Sequence, residues 1–259
     1  MNKTITKFIK TILILYFSIS SFSIVAQQFN VLLFTKTAGW HHKSIPTAVT
    51  NMRALAKEHH FNIVWHEEAS YFNDEFLAKF DAIIFMMTTG DVLNTEQKDS
   101  FKRFIQSGKG FVGVHSASDT EYNWPWYQKL VGRTFKIHPT IQTAKLQVVN
   151  PSFPGINLMT NNMLWTDEWY DFGPENTQKL NYLLTVDEST YNTNSDWGQN
   201  KKGNGMGKFH PIAWYQEFDG GRSFYTALGH LDAAHQNHIF NSHIYGGIYW
   251  AATGKGISE

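Results

Sequence analysis

Four histidines lie where the sequence predicts the ends of buried strands. His41 and His42 follow the apolar run FNVLLFT, His115 ends GFVGVH, and His230 ends FYTALGH. Neutral imidazole is a common metal ligand, and catalytic zinc sites keep one position open for water or substrate. Without a dense signature such as HExxH, two interpretations stay open. In the first, two or three of these histidines bind an ion together with one carboxylate. In the second, the histidines donate hydrogen bonds to a polar ligand or cap the loops.

Adjacent carboxylates lie among bulky aromatic residues in the segment LWTDEWYDF, residues 164–172. Because neighbours on an extended chain point to opposite faces, at most one of Asp167 and Glu168 should face a given pocket. Burial against Trp and Tyr is expected to raise the pKa of that carboxyl, which suits a general acid or base. An ordinary hydrogen-bonded acid is the alternative. Asp119, four residues after His115, can orient that ring or cap a helix.

Tryptophans are frequent near the same predicted loops, at Trp40, Trp124, Trp126, Trp165 and Trp169. Flat aromatic faces beside a few polar groups suit sugar rings, which have apolar C–H faces and hydroxyl edges. Each of these side chains can equally anchor the core or a loop. The pattern therefore makes them candidates for stacking on a carbohydrate.

The elements that would position these residues alternate between strand and helix. Apolar runs predict strands over 29–35, 62–67, 81–88 and 110–115, and helical spacing predicts helices over 45–58, 73–80 and 94–108. Such alternation implies a parallel sheet covered on both faces. Ligands of these sheets bind beyond the carboxyl ends of the strands. The loops after the first, third and fourth strands should therefore deliver polar residues to one rim.

The second half of the chain is less regular. The runs TIQTAKLQVVN, LNYLLTVDE, PIAWYQEF and RSFYTAL predict further strands, mostly antiparallel, and a final helix is expected over 238–252. Residues 190–210 are rich in Asn, Gly and Lys, which predicts a mobile surface loop.

The first 26 residues have the pattern of a secretory signal peptide. Three lysines precede an apolar run, and serines lead to an Ala–Gln boundary. The run is short for an uncleaved membrane anchor, which is the alternative. Cleavage after Ala26 would leave one domain over residues 27–255. We therefore expect a periplasmic or secreted protein with no stable membrane anchor.

Composition excludes several function classes. Lys plus Arg equals Asp plus Glu at 22 each, and no basic run is present, which argues against nucleic acid as a partner. The chain has no cysteine, so disulfides, thiolate metal ligands and a cysteine nucleophile are excluded. Any bound metal must be held by His, Asp or Glu.

Six segments, from about Phe29 to Gly254, together resemble the ThuA-like family, named for trehalose utilisation: GWHHKSI, GKGFVGVHSASD, FKIHP, TDEWY, IAWYQEFDGGRSFYTALGH and GGIYWAATG. The resemblance implies an α/β fold, a flavodoxin-like three-layer sandwich similar to class I glutamine amidotransferases. In those enzymes a nucleophilic cysteine follows the equivalent strand, and its histidine partner follows a later strand. His115 and His230 occupy these two positions here, so the resemblance does not imply cysteine-dependent amidotransfer.

The resemblance also implies site residues. Metal ligands would be His42, His115 and His230, with zinc the favoured ion, and His42 is preferred over the less regular His41. Glu168 is the favoured acid. The full set of catalytic candidates is His115, Glu168 and Asp167, and the substrate-binding candidates are His41, Trp40, His138, Asp119 and Trp169.

The role implied by the family is breakdown of disaccharides or glycosides, including oxidised 3-keto sugars. We expect an exported hydrolase, lyase or isomerase that acts on such a small carbohydrate through a histidine-lined pocket. A non-catalytic carbohydrate-binding or accessory protein with the same pocket is the main alternative. A metal-dependent amidase or peptidase is a third hypothesis, and assembly into a homo-oligomer stays open.

Overall fold

The computed structural model describes residues 27–177 and 179–256. The predicted signal peptide, residues 1–26, lies outside the described residues. Across the two described ranges, none of the helices has both the length and the apolar character needed to span a bilayer.

The described chain folds into strands and helices that follow the predicted order. The strands are β1 (Asn30–Phe34), β2 (Asn62–His66), β3 (Ala82–Met86), β4 (Gly110–Val114), β5 (Phe135–Ile137), β6 (Gln142–Val148), β7 (Met163–Asp167), β8 (Asp171–Phe172), β9 (Asn181–Asp187), β10 (Asn194–Asp196), β11 (Lys202–Asn204), β12 (His210–Phe218) and β13 (Gly221–Thr226). The helices are α1 (Ile45–Glu58), α2 (Asp74–Leu77), α3 (Thr95–Gln106), α4 (Pro125–Val131), α5 (Asp232–His235) and α6 (His238–Thr253).

Nine strands of the described chain form one sheet in the order β2-β1-β3-β4-β13-β12-β9-β6-β7. The first five are parallel in the flavodoxin-like order, and the last four are joined by antiparallel pairings. The predicted sandwich, with a mainly parallel sheet and added antiparallel strands, is confirmed. Strands β1, β3 and β4 are buried on both faces, which is why they read as unbroken apolar runs.

Helices cover both faces of the parallel half. Helix α6 packs on β4 and β13, and Asn51 of α1 donates a 2.8 Å hydrogen bond to Asn241 of α6. On the other face, Phe101 of α3 packs against Trp126 of α4. A Cβ atom on Gly110 would overlap the carbonyl of Ala251, so glycine at this position lets α6 lie directly on β4.

Residues 190–210, predicted as a mobile surface loop, instead contain the β10–β11 hairpin. The Glu188 carboxylate accepts backbone N–H groups of Met206 and Gly207, and it lies 2.7 Å from Nδ1 of the buried His210. The composition favoured turns, but a carboxylate from a neighbouring segment supplies the acceptors that order this backbone.

Candidate functional site

The candidate site lies at one rim of the sheet, beyond the carboxyl ends of several strands. His42 follows β1, His115 follows β4 and His230 follows β13. The pairings through β12, β9 and β6 alternate direction, so β7 also ends at this rim and delivers Glu168. The antiparallel half of the sheet therefore supplies the carboxylate to the histidines of the parallel half.

The loops are held together by hydrogen bonds between their backbones and short side chains. Thr89, after β3, donates its hydroxyl to the Trp40 carbonyl at 2.9 Å and accepts the Gly39 N–H at 3.1 Å. Ser44 donates to the His230 carbonyl at 2.6 Å. These contacts fix the loop after β1 against the loops after β3 and β13.

His115 begins a tight turn directly after β4, with a φ of 51°. Few residues other than glycine adopt this left-handed conformation, and it often marks a functional turn between strand and helix. The Nδ1 atom of His115 donates to the Ala227 carbonyl at 2.8 Å. Because that proton is on Nδ1, the lone pair of the neutral ring is on Nε2, which faces the other site residues.

Four side chains bring one donor atom each into a common space. His42, His115, Glu168 and His230 have donor atoms that all lie within 4.8 Å of one another. Three of the separations are short: 3.1 Å from His115 Nε2 to His230 Nδ1, 3.4 Å from His115 Nε2 to Glu168 Oε2, and 3.2 Å from His230 Nδ1 to Glu168 Oε2. A tetrahedral site with bonds of about 2.0–2.1 Å has ligand–ligand edges of about 3.3–3.4 Å, so this triangle has the size of one face.

The triangle brings acceptor atoms together. The carboxylate of Glu168 and the Nε2 atom of His115 carry lone pairs, and the nearby His230 Nδ1 can supply at most one proton. The Tyr170 hydroxyl lies 2.8 Å from His115 Nε2 and can donate to it. Hydrogen bonds from Tyr170 to His115 and from His230 to Glu168 can satisfy these lone pairs. A cation shared between the atoms, either a proton or a metal ion, is an alternative partner for them.

Electrostatics around Glu168 differ from the expectation. Burial alone would raise its pKa, but the imidazoles of His115 and His230 beside the carboxylate outweigh burial and hold the pKa well below its usual range. The predicted rise is therefore wrong, and Glu168 is ionised at neutral pH. For His230, burial alone would lower the pKa, but the hydrogen bond and the charge of Glu168 outweigh burial and raise it. Burial and its histidine neighbours lower the pKa of His42 to about 2, so this ring stays neutral.

A cavity of about 450 Å³ opens onto the cluster. It is lined by Trp40, His42, Asp119, Phe135, His138, Glu168, Tyr170, Trp197 and His230. Phe135 and Tyr170 are buried, whereas Trp40 and Trp197 are 70 % and 46 % exposed. The cavity therefore has an aromatic wall, exposed indoles at its border and a polar end formed by the cluster.

His138 contacts both the cluster and the aromatic wall. Its Nδ1 donates to the Pro139 carbonyl at 2.8 Å, and its Nε2 lies 3.3 Å from Glu168 Oε1. The ring stacks on Tyr170 with centroids 5.6 Å apart. Glu168 thus has one oxygen near His115 and His230 and the other near His138.

The other predicted residues differ in whether they line the cavity. Asp119 lines the cavity, where burial raises its pKa, but it accepts a hydrogen bond from Tyr122 at 2.7 Å. Its predicted role in orienting His115 is wrong, because the Ala227 carbonyl holds that ring. His41 is exposed and pairs with the Thr37 hydroxyl at 3.1 Å.

Asp167 and Trp169 are buried away from the cavity, as alternation along an extended chain requires when Glu168 faces it. Trp169 donates to the Gln142 carbonyl at 3.0 Å, which makes it an anchor of β6 rather than a cavity residue. Three further tryptophans also lie outside the cavity lining: Trp124, Trp126 and Trp165.

Sequence reasoning missed three cavity residues. Tyr170 could have been found, because it lies two residues after Glu168 and so shares its face. Phe135 lies two residues before Ile137 in β5, and no local pattern distinguished it from a core residue. Trp197 was missed because its segment was predicted to be a mobile loop.

Comparisons with known proteins agree with this architecture. The family model described as "ThuA: Trehalose utilisation" matches residues 30–251. A ThuA-like protein from Bacteroides uniformis ATCC 8492 is 20% identical with a TM-score of 0.73, and the match covers 90% of this chain and 96% of that one. A ThuA-like protein from Parabacteroides merdae ATCC 43184 is 19% identical with a TM-score of 0.71, over 89% and 92% of the two chains.

A cytoplasmic protein from Salmonella typhimurium is 9% identical with a TM-score of 0.57, and the match covers 86% of this chain and 98% of that one. Among curated proteins, no sequence matches significantly. At these identities the structural matches show a shared fold.

Proposed function

Since the chain belongs to the ThuA trehalose utilisation family, which indicates a role in sugar metabolism, we propose that its cavity binds a disaccharide, a glycoside or a 3-keto derivative. Side chains of the cavity would then transfer a proton to or from the bound sugar. The observation that carries this proposal is the convergence of His42, His115, His230 and Glu168 at the end of an aromatic cavity.

The cavity has features that suit a small carbohydrate. A volume of about 450 Å³ lies in the range of small-molecule sites. Aromatic rings from Phe135, Tyr170 and Trp197 can pack on apolar sugar C–H faces, while Asp119 and His138 can bind hydroxyl groups. Among the residues that the structure describes, none of those that line the cavity is Lys or Arg, which favours an uncharged sugar over a phosphorylated one.

The donor set also fits a divalent metal ion. Three imidazoles and one carboxylate, without thiolate, are ligands that zinc and similar ions accept. We propose His42, His115 and His230 as the ligands, with Glu168 as the fourth group. When bound, such an ion would supply Lewis-acid polarisation of a sugar carbonyl or hydroxyl.

Glu168 and His138 are the proposed proton carriers. On a 3-keto sugar, the C–H bond next to the carbonyl is acidic, and Glu168 or His138 would accept the C2 proton. Elimination then forms a C1–C2 double bond as the C1–O bond breaks, and the leaving oxygen takes a proton from water. Isomerisation returns a proton to a neighbouring carbon instead, while hydrolysis needs a water positioned at C1.

We propose that this chemistry occurs outside the cytoplasm. The support is the signal-peptide pattern of residues 1–26. Intact mass of the protein recovered from the periplasm or medium of a Gram-negative host should correspond to a chain that begins at Gln27. Recovery of the full-length chain in the cytoplasm would contradict export.

Elemental analysis of the mature protein, purified without chelator or added metal, tests the proposed function first. Near-stoichiometric zinc, manganese or nickel is expected, together with calorimetric binding of trehalose or 3-ketotrehalose. Absence of metal would contradict the metal centre. Absence of binding to either sugar and to a panel of glycosides would contradict the carbohydrate site.

Replacing Trp197 with alanine should weaken sugar binding. The indole donates to the His138 carbonyl at 3.1 Å and packs edge-on against the His138 ring at 4.8 Å, so it can contact a ligand in the cavity. Loss of one aromatic contact of about 0.5–1.5 kcal/mol corresponds to a rise of about two- to twelvefold in Kd by calorimetry.

Trp65→Ala is the matched control, because this partly exposed tryptophan lies on β2, outside the cavity lining. Metal content should be unchanged in both variants. Equal sugar affinity in Trp197→Ala and Trp65→Ala would contradict a role for the hairpin in binding.

A further inference from the structure

Asp167 is fully buried and lies outside the cavity, yet its carboxylate contacts the backbone of two members of the cluster. Oδ1 accepts the N–H of Glu168 at 3.0 Å and the N–H of His230 at 3.1 Å. Oδ2 accepts the N–H of Gly229 at 2.9 Å and the indole N–H of Trp165 at 3.1 Å. Four donors therefore converge on one side chain.

We propose that Asp167 is a positioning residue that holds Glu168 and His230 at the separation needed for metal binding. This inference rests on the metal site in the proposed function. It assigns Asp167 a role through the backbone of its neighbours, in place of the direct catalytic role expected from the sequence.

The topology explains why such a link is needed. Strand β7, which ends just before Glu168, is separated from β13, whose following loop contains His230, by β12, β9 and β6. No strand pairing therefore sets the distance between these two loops. One oxygen of Asp167, Oδ1, accepts the N–H groups of both Glu168 and His230 and so fixes the two backbones relative to each other. The Glu168 Oε2 and His230 Nδ1 atoms lie 3.2 Å apart.

The loop after β13 is shaped to present its N–H groups to Asp167. Gly229 has a φ of +109°, a conformation that side chains rarely allow, and a Cβ there would lie 3.0 Å from Phe240. The His235 Nε2 atom lies 2.9 Å from the Gly229 carbonyl and can donate to it. With the carbonyl bound on one side, consecutive N–H groups of Gly229 and His230 face the Asp167 carboxylate.

Asp167→Asn tests the inference with minimal change in shape. One acceptor oxygen becomes an NH₂ group, so either the pair of N–H groups from Glu168 and His230 or the pair from Gly229 and Trp165 meets a donor. Zinc affinity, measured by competition with a chromogenic chelator, is expected to fall about 10- to 100-fold, as for other residues that orient metal ligands.

Trp165→Phe is the matched control. It removes one of the four donors to Asp167 but none of those that belong to the loop after β13 or to Glu168. Its thermal stability can fall as in Asp167→Asn, but its zinc affinity should equal that of the wild type. If Asp167→Asn does not fold, Asp167→Ser, which keeps one acceptor oxygen, takes its place in the same comparison.

A crystal structure of each metal-free variant provides a readout that does not depend on zinc. The Glu168 Oε2–His230 Nδ1 distance should lengthen beyond hydrogen-bonding range in Asp167→Asn and stay near 3.2 Å in Trp165→Phe. An unchanged distance with wild-type zinc affinity would overturn the inference. A wild-type protein that binds no zinc would instead overturn the metal site of the proposed function, and the distance alone would then decide whether Asp167 positions these residues.

Discussion

His42→Ala should lose the bound metal ion, while His41→Ala should keep it. The two histidines are adjacent in sequence, but His42 is buried in the cluster and His41 is exposed outside it. Because the low pKa of His42 leaves its ring neutral, its lone pair is available to a metal at physiological pH. Removal of a ligand should raise the zinc Kd by more than the roughly 10- to 100-fold typical of groups that only orient ligands.

The measurement is metal content by mass spectrometry, with a zinc competition titration and a thermal melt on the same samples. Residue His42 lies 3.4 Å from the Ser116 hydroxyl, and its loss leaves a small void, so a modest drop in Tm is expected. Stoichiometric zinc in a folded His42→Ala protein would contradict its place in the metal site. Equal metal loss in His41→Ala would contradict the specificity of the cluster.

Glu168→Gln should abolish proton transfer while leaving sugar binding nearly intact. The carboxylate contacts His115, His230 and His138, and its low pKa keeps it charged in the wild type. An amide of the same shape cannot accept the proton or balance the charge of a protonated imidazole. We expect the rate to fall about 10²- to 10⁴-fold, the usual contribution of a positioned acid or base.

The reaction to follow is exchange of the C2 proton of 3-ketotrehalose with solvent deuterium, by proton NMR. Metal content is measured in parallel, since Glu168 is also the fourth group of the metal site. Glu68→Gln, at an exposed glutamate outside the cavity, is the control and should exchange at the wild-type rate.

Wild-type exchange in Glu168→Gln would remove Glu168 from the proposed chemistry. A wild-type protein that binds 3-ketotrehalose but produces neither exchange nor product would favour the alternative, a carbohydrate-binding protein without turnover.

The sequence was most informative where a local pattern has one physical solution. Helix α1 spans Ile45–Glu58 as its apolar spacing predicted, and α3 lies within the predicted range 94–108, with Asn94 as its N-cap. Strands buried on both faces are apolar throughout, so β1, β3 and β4 were also located within one or two residues. Because carboxyl ends of parallel strands share a rim, the common location of His42 and His115 followed from the predicted parallel sheet. The strand before His230 was predicted among the mostly antiparallel ones, and only the structure shows that β13 runs parallel to β4.

The sequence alone also determined that Asp167 and Glu168 face opposite sides, because alternation is a property of any extended chain. Only the tertiary structure decided which of them faces the cavity, since that depends on how β7 packs in the sheet. It also decided the direction of the Glu168 pKa, because burial and nearby imidazoles act oppositely and the balance depends on distances of 3.2–3.4 Å. The positions of Trp197 and of the Asp167 contacts were likewise set by segments distant in sequence, whose packing no local pattern encodes.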